Sequence, residues 1–402
     1  MITFAYFISS HGYGHAARSS AVMSALCQIN PDIHFEIFSK VPSWFFRDSV
    51  KSFTHHNLLT DIGLVQKTSL TENIPKTVRR LNDFFPLDDD CVSQLARELK
   101  KLNCQLVLCD IAPLGIAVAN MADIPSMLIE NFTWDWIYEG YIGAYPHGYH
   151  IEHGDSHPDI GQVQGTVTTN STDSKVLTDL KKHAHYLKSL FALADIHVQT
   201  EPVCYPQSVD LTVPPISRPS KTKSDEIRRQ LHIDLTHKIV IITMGGIPWD
   251  YMFMEHLHTF EVNFPDVHFI IPGLSLKMRI EGNVIGLPHH SKFFHPDIIN
   301  AADVVIGKVG YSTLAEVYQS GVPYGYIARP AFRESTVFVD YIKHNLHGQP
   351  IAEADFIDGQ WLDDLPKLIE LPRVSNGRIN GVDKIAHFIF DVLHERQHVL
   401  HV

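Results

Sequence analysis

Positive charge is what this 402-residue chain is short of: 33 lysines and arginines face 45 aspartates and glutamates, a formal net charge of −12. Nucleic acid and anionic membrane both reward a basic surface, so neither is the expected main partner. Cysteine is scarce as well. The five present (Cys27, Cys91, Cys104, Cys109 and Cys204) are odd in number and never spaced C-x-x-C. That argues against a disulfide framework or a cysteine zinc site and fits reduced thiols in a cytoplasmic protein. Long apolar runs are also missing. No window approaches the ~18 uninterrupted apolar residues of a membrane helix, so any membrane contact is expected to be peripheral. The opening MITFAYFIS has a short apolar stretch with no basic segment before it, and it reads as a first buried strand, not as a signal peptide. Hydrophobic residues at 45% and charged residues at 19% are ordinary for a folded protein, and the length is that of two domains of about 200 residues.

Short continuous apolar runs alternate with longer segments of helical period, the pattern of an α/β fold with parallel sheets covered on both faces. In the first half the strands are expected at 2–9, 33–39, 105–110, 126–130 and 196–200, and in the second at 238–244, 267–273, 283–287, 304–308 and 324–328. The expected architecture is two Rossmann-like parallel-sheet domains, 1–217 and 218–402, with a final helix that can cross back. Their boundary falls in VPPISRPSKTKSDE, residues 213–226, where prolines without ladder donors disfavour a central strand. Residues 145–174 carry few strand or helix signals, and a loop of that length inside a compact domain is usually functional or mobile.

Three places carry chemistry. The first strand runs into His11-Gly12-Tyr13-Gly14-His15-Ala16-Ala17-Arg18. Gly12 and Gly14 let the backbone turn sharply, and the helix that follows offers free N–H groups to an anion. The pattern departs from G-x-G-x-x-G, which weakens a dinucleotide reading. A histidine in such a loop suits a general base because its ordinary pKa lies near neutrality; the plainer role is to cap the helix. Asp110 ends the strand QLVLCD at the edge where α/β sheets bind ligands. It either fixes a histidine's tautomer or caps the next helix. The third place is Gly307-Lys308-Val309-Gly310-Tyr311-Ser312-Thr313-Leu314-Ala315-Glu316. A strand end, a glycine turn and a helix start together offer N–H groups and a dipole to a diphosphate. Glu316 can accept from ribose hydroxyls, or Thr313 and Glu316 can form a capping box.

The run KVGYSTLAE, followed by SGVPYGYIARPAF, resembles the nucleotide-sugar signature of the GT-B glycosyltransferases. The likeness is to the branch of the UDP-dependent small-molecule transferases and the peptidoglycan GlcNAc transferase. HGYGHAAR, NFTWDWIYEGY and the stretch from Lys308 to Glu334 are also similar to the transferase-like N-terminal domain of plant arabinokinases. The resemblance implies a GT-B fold and an inverting transfer of sugar from a nucleotide diphosphate, UDP by preference, to an acceptor hydroxyl. It implies His15 as base with Asp110 as its orienting partner, His11 remaining the competitor. Donor contacts are implied at Gly245, Gly246, Leu287, Pro288, His289, Lys308, Gly310, Tyr311, Ser312, Thr313, Glu316, Arg333 and Glu334. The acceptor loop would comprise His11, Gly12, Gly14, Asn131 and Trp134. Retaining members often carry a glutamate eight residues before the ribose glutamate; here that position is Lys308, which favours inversion. The nucleotide sugar is a co-substrate, and no metal or other cofactor is expected. The acceptor is a small molecule, glycan or lipid-linked sugar that the sequence does not identify.

Other readings compete. A GT-B epimerase or hydrolase would share the donor site without an acceptor, and a nucleotide-sugar-binding module would lack turnover. His147, His150, His153, Asp155 and His157 have spacings that ligate zinc on a helix, but glycine and proline interrupt them. Val41-Pro42-Ser43-Trp44-Phe45-Phe46, with Arg47 and Lys51, reads as a buried helix start in preference to a membrane-resting foot.

Overall fold

The computed structural model describes residues 2–144, 171–246, 249–374 and 377–399; the histidine-rich stretch from His147 to His157 lies outside the described residues. Runs apolar on every residue can be buried on both faces, and they become the strands of two parallel sheets. The first sheet comprises β1 (Ile2–Ile8), β2 (Ile33–Phe38), β3 (Phe53–His56), β4 (Cys104–Asp110), β5 (Ser126–Glu130), β6 (Ile196–Thr200) and β7 (Leu211–Val213). Their spatial order is β3-β2-β1-β4-β5-β6-β7. The second comprises β8 (Lys238–Thr243), β9 (Val267–Pro272), β10 (Arg279–Glu281), β11 (Val284–Leu287), β12 (Val304–Lys308), β13 (Tyr324–Ile327) and β14 (Gly348–Pro350). It is ordered β10-β11-β9-β8-β12-β13-β14, with β10 antiparallel to β11. The edge strands β3, β7, β10 and β14 were not expected from the sequence. An edge strand is buried less completely, and these short segments lack the continuous apolar run that marks the others.

In each sheet the winding direction reverses between two neighbouring strands, β1 and β4 in the first, β8 and β12 in the second. A crevice opens at the carboxyl ends of such strands, which is where α/β sheets take their ligands. Gly307 in β12 shows how closely the second pair is packed: a Cβ there would collide with the Thr243 carbonyl of β8.

The final helix, Gly381–Val399, leaves the second domain. Its Val382, Ile385, Ala386, Ile389 and Leu393 join the core built on β1 and β2. The segment 41–51 forms the short helix Ser43–Arg47, with Phe45 and Phe46 buried. Trp44 stacks on His290 of the second domain, ring centroids 4.5 Å apart. Trp44 and Phe45 thus line the cleft between the two sheets. No described helix is long and apolar enough to cross a membrane.

Candidate active site

The two crevices face each other across a cavity of about 190 Å³. On the first domain's side, β1 ends at Ile8 and the chain turns through Gly12 at φ +75°, a conformation that glycine adopts without penalty. The first helix, Gly14–Ile29, follows with Tyr13 at its N-cap, so His15 lies inside the first turn and does not cap it. Its Nδ1 is 2.8 Å from Asp110 Oδ1. A carboxylate only accepts, so Nδ1–H donates and Nε2 keeps the lone pair for a substrate proton. Asp110 does not cap the next helix either, whose N-cap is Ala112.

Asp110 is held from several directions. Arg18 donates from Nε to Oδ2 at 2.8 Å and from a terminal nitrogen to Oδ1 at 2.6 Å, and Ser19 adds its hydroxyl at 3.1 Å. Burial alone would raise the Asp110 carboxyl, but the Arg18 charge and the hydrogen bonds from Arg18 and His15 hold it below its ordinary value. The next residue, Ile111, is fully buried with φ +43°, a position that costs a β-branched residue about 1–3 kcal/mol and persists only where surrounding structure imposes it.

His11 also lines the cleft but has a different environment. Its Nδ1 accepts from the Leu64 N–H at 3.4 Å, and it meets no carboxylate among the described residues. Burial, then the neighbouring His15, Arg329 and Lys308, press it well below its ordinary value. It is a neutral ring in an electropositive surround, and His15 is the histidine with a partner to stabilise an imidazolium.

Across the cleft, β12 delivers Lys308, and the helix Tyr311–Ser320 begins after Gly310 without a side-chain cap and without an acidic residue in its first turn. The N–H groups near Ser312 and Thr313 are thus open to an anion. Gly14 approaches closely enough that a Cβ there would lie 3.9 Å from Ser312 Oγ. Lys308 is half-buried, and its Nζ donates to the Ser69 carbonyl at 3.3 Å. Burial and the adjacent Arg329 bring its pKa down to about 7, against the opposing pull of Glu334 and Glu72.

Glu316 is not in a capping box, because the helix starts two residues before Thr313. Its carboxylate pairs instead with Arg218 at 3.1 Å and with His295 Nδ1 at 2.6 Å. Burial works to raise this carboxyl, but the charges and hydrogen bonds of His295 and Arg218 hold it below its ordinary value. Arg218 lies between the Phe45 and Phe294 rings, 4.8 Å from each centroid. Glu316→Ala would leave the buried Arg218 guanidinium without its carboxylate and the His295 ring without its partner. Removing one partner of a buried pair costs about 3–5 kcal/mol, so urea denaturation is expected to show a loss of that size.

The cleft brings together His11, Gly12, Gly14, His15, Gly245, Gly246, His289, Lys308, Gly310, Tyr311, Ser312, Thr313, Glu316 and Glu334. Other expected contacts are placed differently. The space a side chain would take at Gly246 is filled by the Tyr13 ring, so its bare backbone receives an aromatic of the first domain. Leu287 is in the core, its carbonyl accepting from the Gly273 N–H at 2.7 Å; neither it nor Pro288 lines the cleft. Arg333 turns away, its guanidinium 4.1 Å from the Trp136 ring centroid. Asn131 and Trp134 are buried behind the site. Asn131 accepts from Arg18 at 2.7 Å and donates to Glu334 at 2.8 Å, and Trp134 donates to Asp61 at 2.7 Å. Burial raises Asp61, and hydrogen bonds from Ser9 and Trp134 offset part of that.

Arg18, Arg218, His295, Arg329 and Glu72 were not given roles from the sequence. Arg18 carried a signal, since it stands three residues after His15 and on a helix such residues share a face. The others meet the site only through tertiary contacts. Arg329 pairs with Glu72 of the first domain at 3.4 Å and with Glu334 at 3.7 Å. A second cavity of about 680 Å³ opens on the first-domain side and shares His11, Gly12, Tyr13, Gln66 and Gly246 with the cleft.

No protein-family model matches the chain. It is similar to L-arabinokinase of Arabidopsis thaliana, 24% identical over 392 residues, which is 96% of this chain but 34% of that protein. The chain thus spans about a third of the length of that relative. Among solved structures it resembles the glycosyltransferase of kitacinnamycin, with a TM-score of 0.62 at 14% identity over 97% of this chain and 98% of the other. UGT2 of Phytolacca americana, solved with UDP-2-fluoroglucose and pterostilbene, superposes with a TM-score of 0.56 at 12% identity over 98% and 94%. The fold of this chain is that of the GT-B glycosyltransferases.

Proposed function

We propose that the chain is an inverting, metal-independent glycosyltransferase that moves a sugar from a nucleoside diphosphate, preferentially UDP, onto an acceptor hydroxyl. The observation that carries this reading is the pairing of His15 with Asp110 directly across the cleft from Lys308 and the uncapped helix start at Tyr311. A base on one wall and an anion site on the other are what displacement at an anomeric carbon requires. His15 Nε2 takes the acceptor hydroxyl proton as the acceptor oxygen bonds to the anomeric carbon. The bond to the diphosphate breaks on the opposite side, and the diphosphate leaves with the electron pair. The N–H groups near Ser312 and Thr313, together with protonated Lys308, receive that charge. A single displacement inverts the configuration. The cavity beside His11 gives the acceptor an approach to the same base.

The test is a thermal-shift panel of UDP, TDP, GDP, ADP and CDP, each with and without magnesium. A ligand held only by the folded protein adds about 2.7 kcal/mol at 100 times its Kd. A shift selective for UDP and unchanged by magnesium is expected, followed by sugar transfer in an acceptor screen. Turnover of the nucleotide sugar without any acceptor would mean an epimerase or hydrolase instead. Absence of a shift with every nucleotide would overturn the donor site.

A further inference from the structure

We infer that Arg18 is a positioning residue that sets how readily His15 takes a proton, by holding the charge of the carboxylate they share. The inference rests on the transferase reading for its purpose but not for its test.

Arg18 is fully buried, and nearly all its donors are used. Besides its two bonds to Asp110, it donates to Asn131 at 2.7 Å and to Thr200 at 3.2 Å, and its guanidinium lies 4.6 Å from the centroid of the Tyr311 ring. Burial alone would account for an arginine tied to its surroundings. The arrangement around one oxygen is more particular. Asp110 Oδ1 receives His15 Nδ1 at 2.8 Å and Arg18 at 2.6 Å, while the same Arg18 nitrogen sits 3.4 Å from His15 Nδ1. In a histidine–aspartate pair alone, the full carboxylate charge favours the imidazolium. Here a permanent cation balances that carboxylate and stands beside the ring, so it opposes protonation of His15 before substrate arrives. Asp110 still fixes the tautomer, and the imidazole remains free to accept the acceptor's proton.

The other ionisable groups acting on His15 are His11 on the preceding loop, Asp61, and Glu334 from the second domain. Phe132 and Trp134 supply neutral rings. These groups are common to the native protein and its variants, so a change made at Arg18 isolates its charge.

The test follows the His15 ring itself by NMR in the full chain with 13Cε1-labelled histidine, the signal assigned by its loss in His15→Gln. Arg18→Gln keeps a donor to Asp110 without the charge, and its His15 midpoint should move up by about one pH unit. Asp110→Asn keeps the cation without the anion and should move it down by a similar step. In the double variant Arg18→Gln/Asp110→Asn the two effects should cancel, returning the midpoint to near the native position. A folded Arg18→Gln with an unmoved midpoint would overturn the inference and leave Arg18 a packing residue. Should Arg18→Gln fail to fold, the double variant, which removes both charges together, carries the comparison. It must titrate about one unit above Asp110→Asn, and coincidence of those two would equally overturn the proposal. No donor or acceptor enters this measurement, so failure to detect transfer would refute the transferase reading without touching it.

Discussion

His15→Ala is expected to lower kcat for sugar transfer by about 10²- to 10⁴-fold, the range for removing a positioned general base, while the affinity for UDP stays within about twofold of native. The two readouts separate because the groups occupy opposite walls. Asp110, at the end of β4, holds the ring through Nδ1. The proposed diphosphate site is built from Lys308 and the helix start at Tyr311. Truncating His15 removes a proton acceptor from the first domain and no contact from the second. Transfer assays with saturating donor give kcat, and calorimetric titration with UDP gives affinity on the same preparation. Parallel loss of both in a folded variant would mean that His15 holds the nucleotide, and the base would have to be sought elsewhere. His11→Ala is the control: that ring has no carboxylate partner among the described residues, and its loss should cost kcat far less.

The strands that frame this site are legible in the sequence because they are buried on both faces, as in QLVLCD and KIVIITM. The residues at their carboxyl ends follow once a parallel sheet is assumed, which makes Asp110 in the first sheet and Gly245 and Lys308 after strands of the second readable as candidates. Their meeting at one cleft is implied only by the GT-B resemblance. What the sequence hides is pairing across the cleft. The Thr313–Glu316 spacing fits a capping box, yet the helix begins at Tyr311 and the carboxylate goes to Arg218 and His295. Nothing local marks Arg218, which lies in a proline-rich linker and is placed by the Phe45 and Phe294 rings from two domains. Arg333 looks like a sugar ligand beside Glu334, but adjacent helix residues point in different directions, and it packs on Trp136. The helix Ile74–Phe84 was readable in principle from its Asn73 cap and its apolar positions at Ile74, Val78 and Leu81.

Lys308 leads to the second large effect, a nucleotide affinity that falls as pH rises. Desolvation of its half-buried ammonium, then the charge of Arg329, brings its pKa down to about 7. Half of the empty protein is thus uncharged there near neutrality. A diphosphate favours the ammonium, so binding above pH 7 must take up a proton, and affinity should fall about tenfold per pH unit between roughly pH 7.5 and 8.5. The terminal phosphate of UDP loses its last proton near pH 6, so it contributes little in that window. Calorimetry in two buffers of different ionisation enthalpy should register uptake of close to one proton at pH 8.5. Lys308→Met should bind UDP about 10- to 100-fold more weakly at pH 6.5, the worth of a charged hydrogen bond, with no slope above pH 7. Stability of the empty protein responds in the opposite sense. Between about 7 and the ordinary 10.5 the unfolded chain binds the proton and the folded one does not, so this group makes folding more favourable as pH rises. A native slope retained in Lys308→Met would assign the proton to another group and remove Lys308 from the diphosphate site.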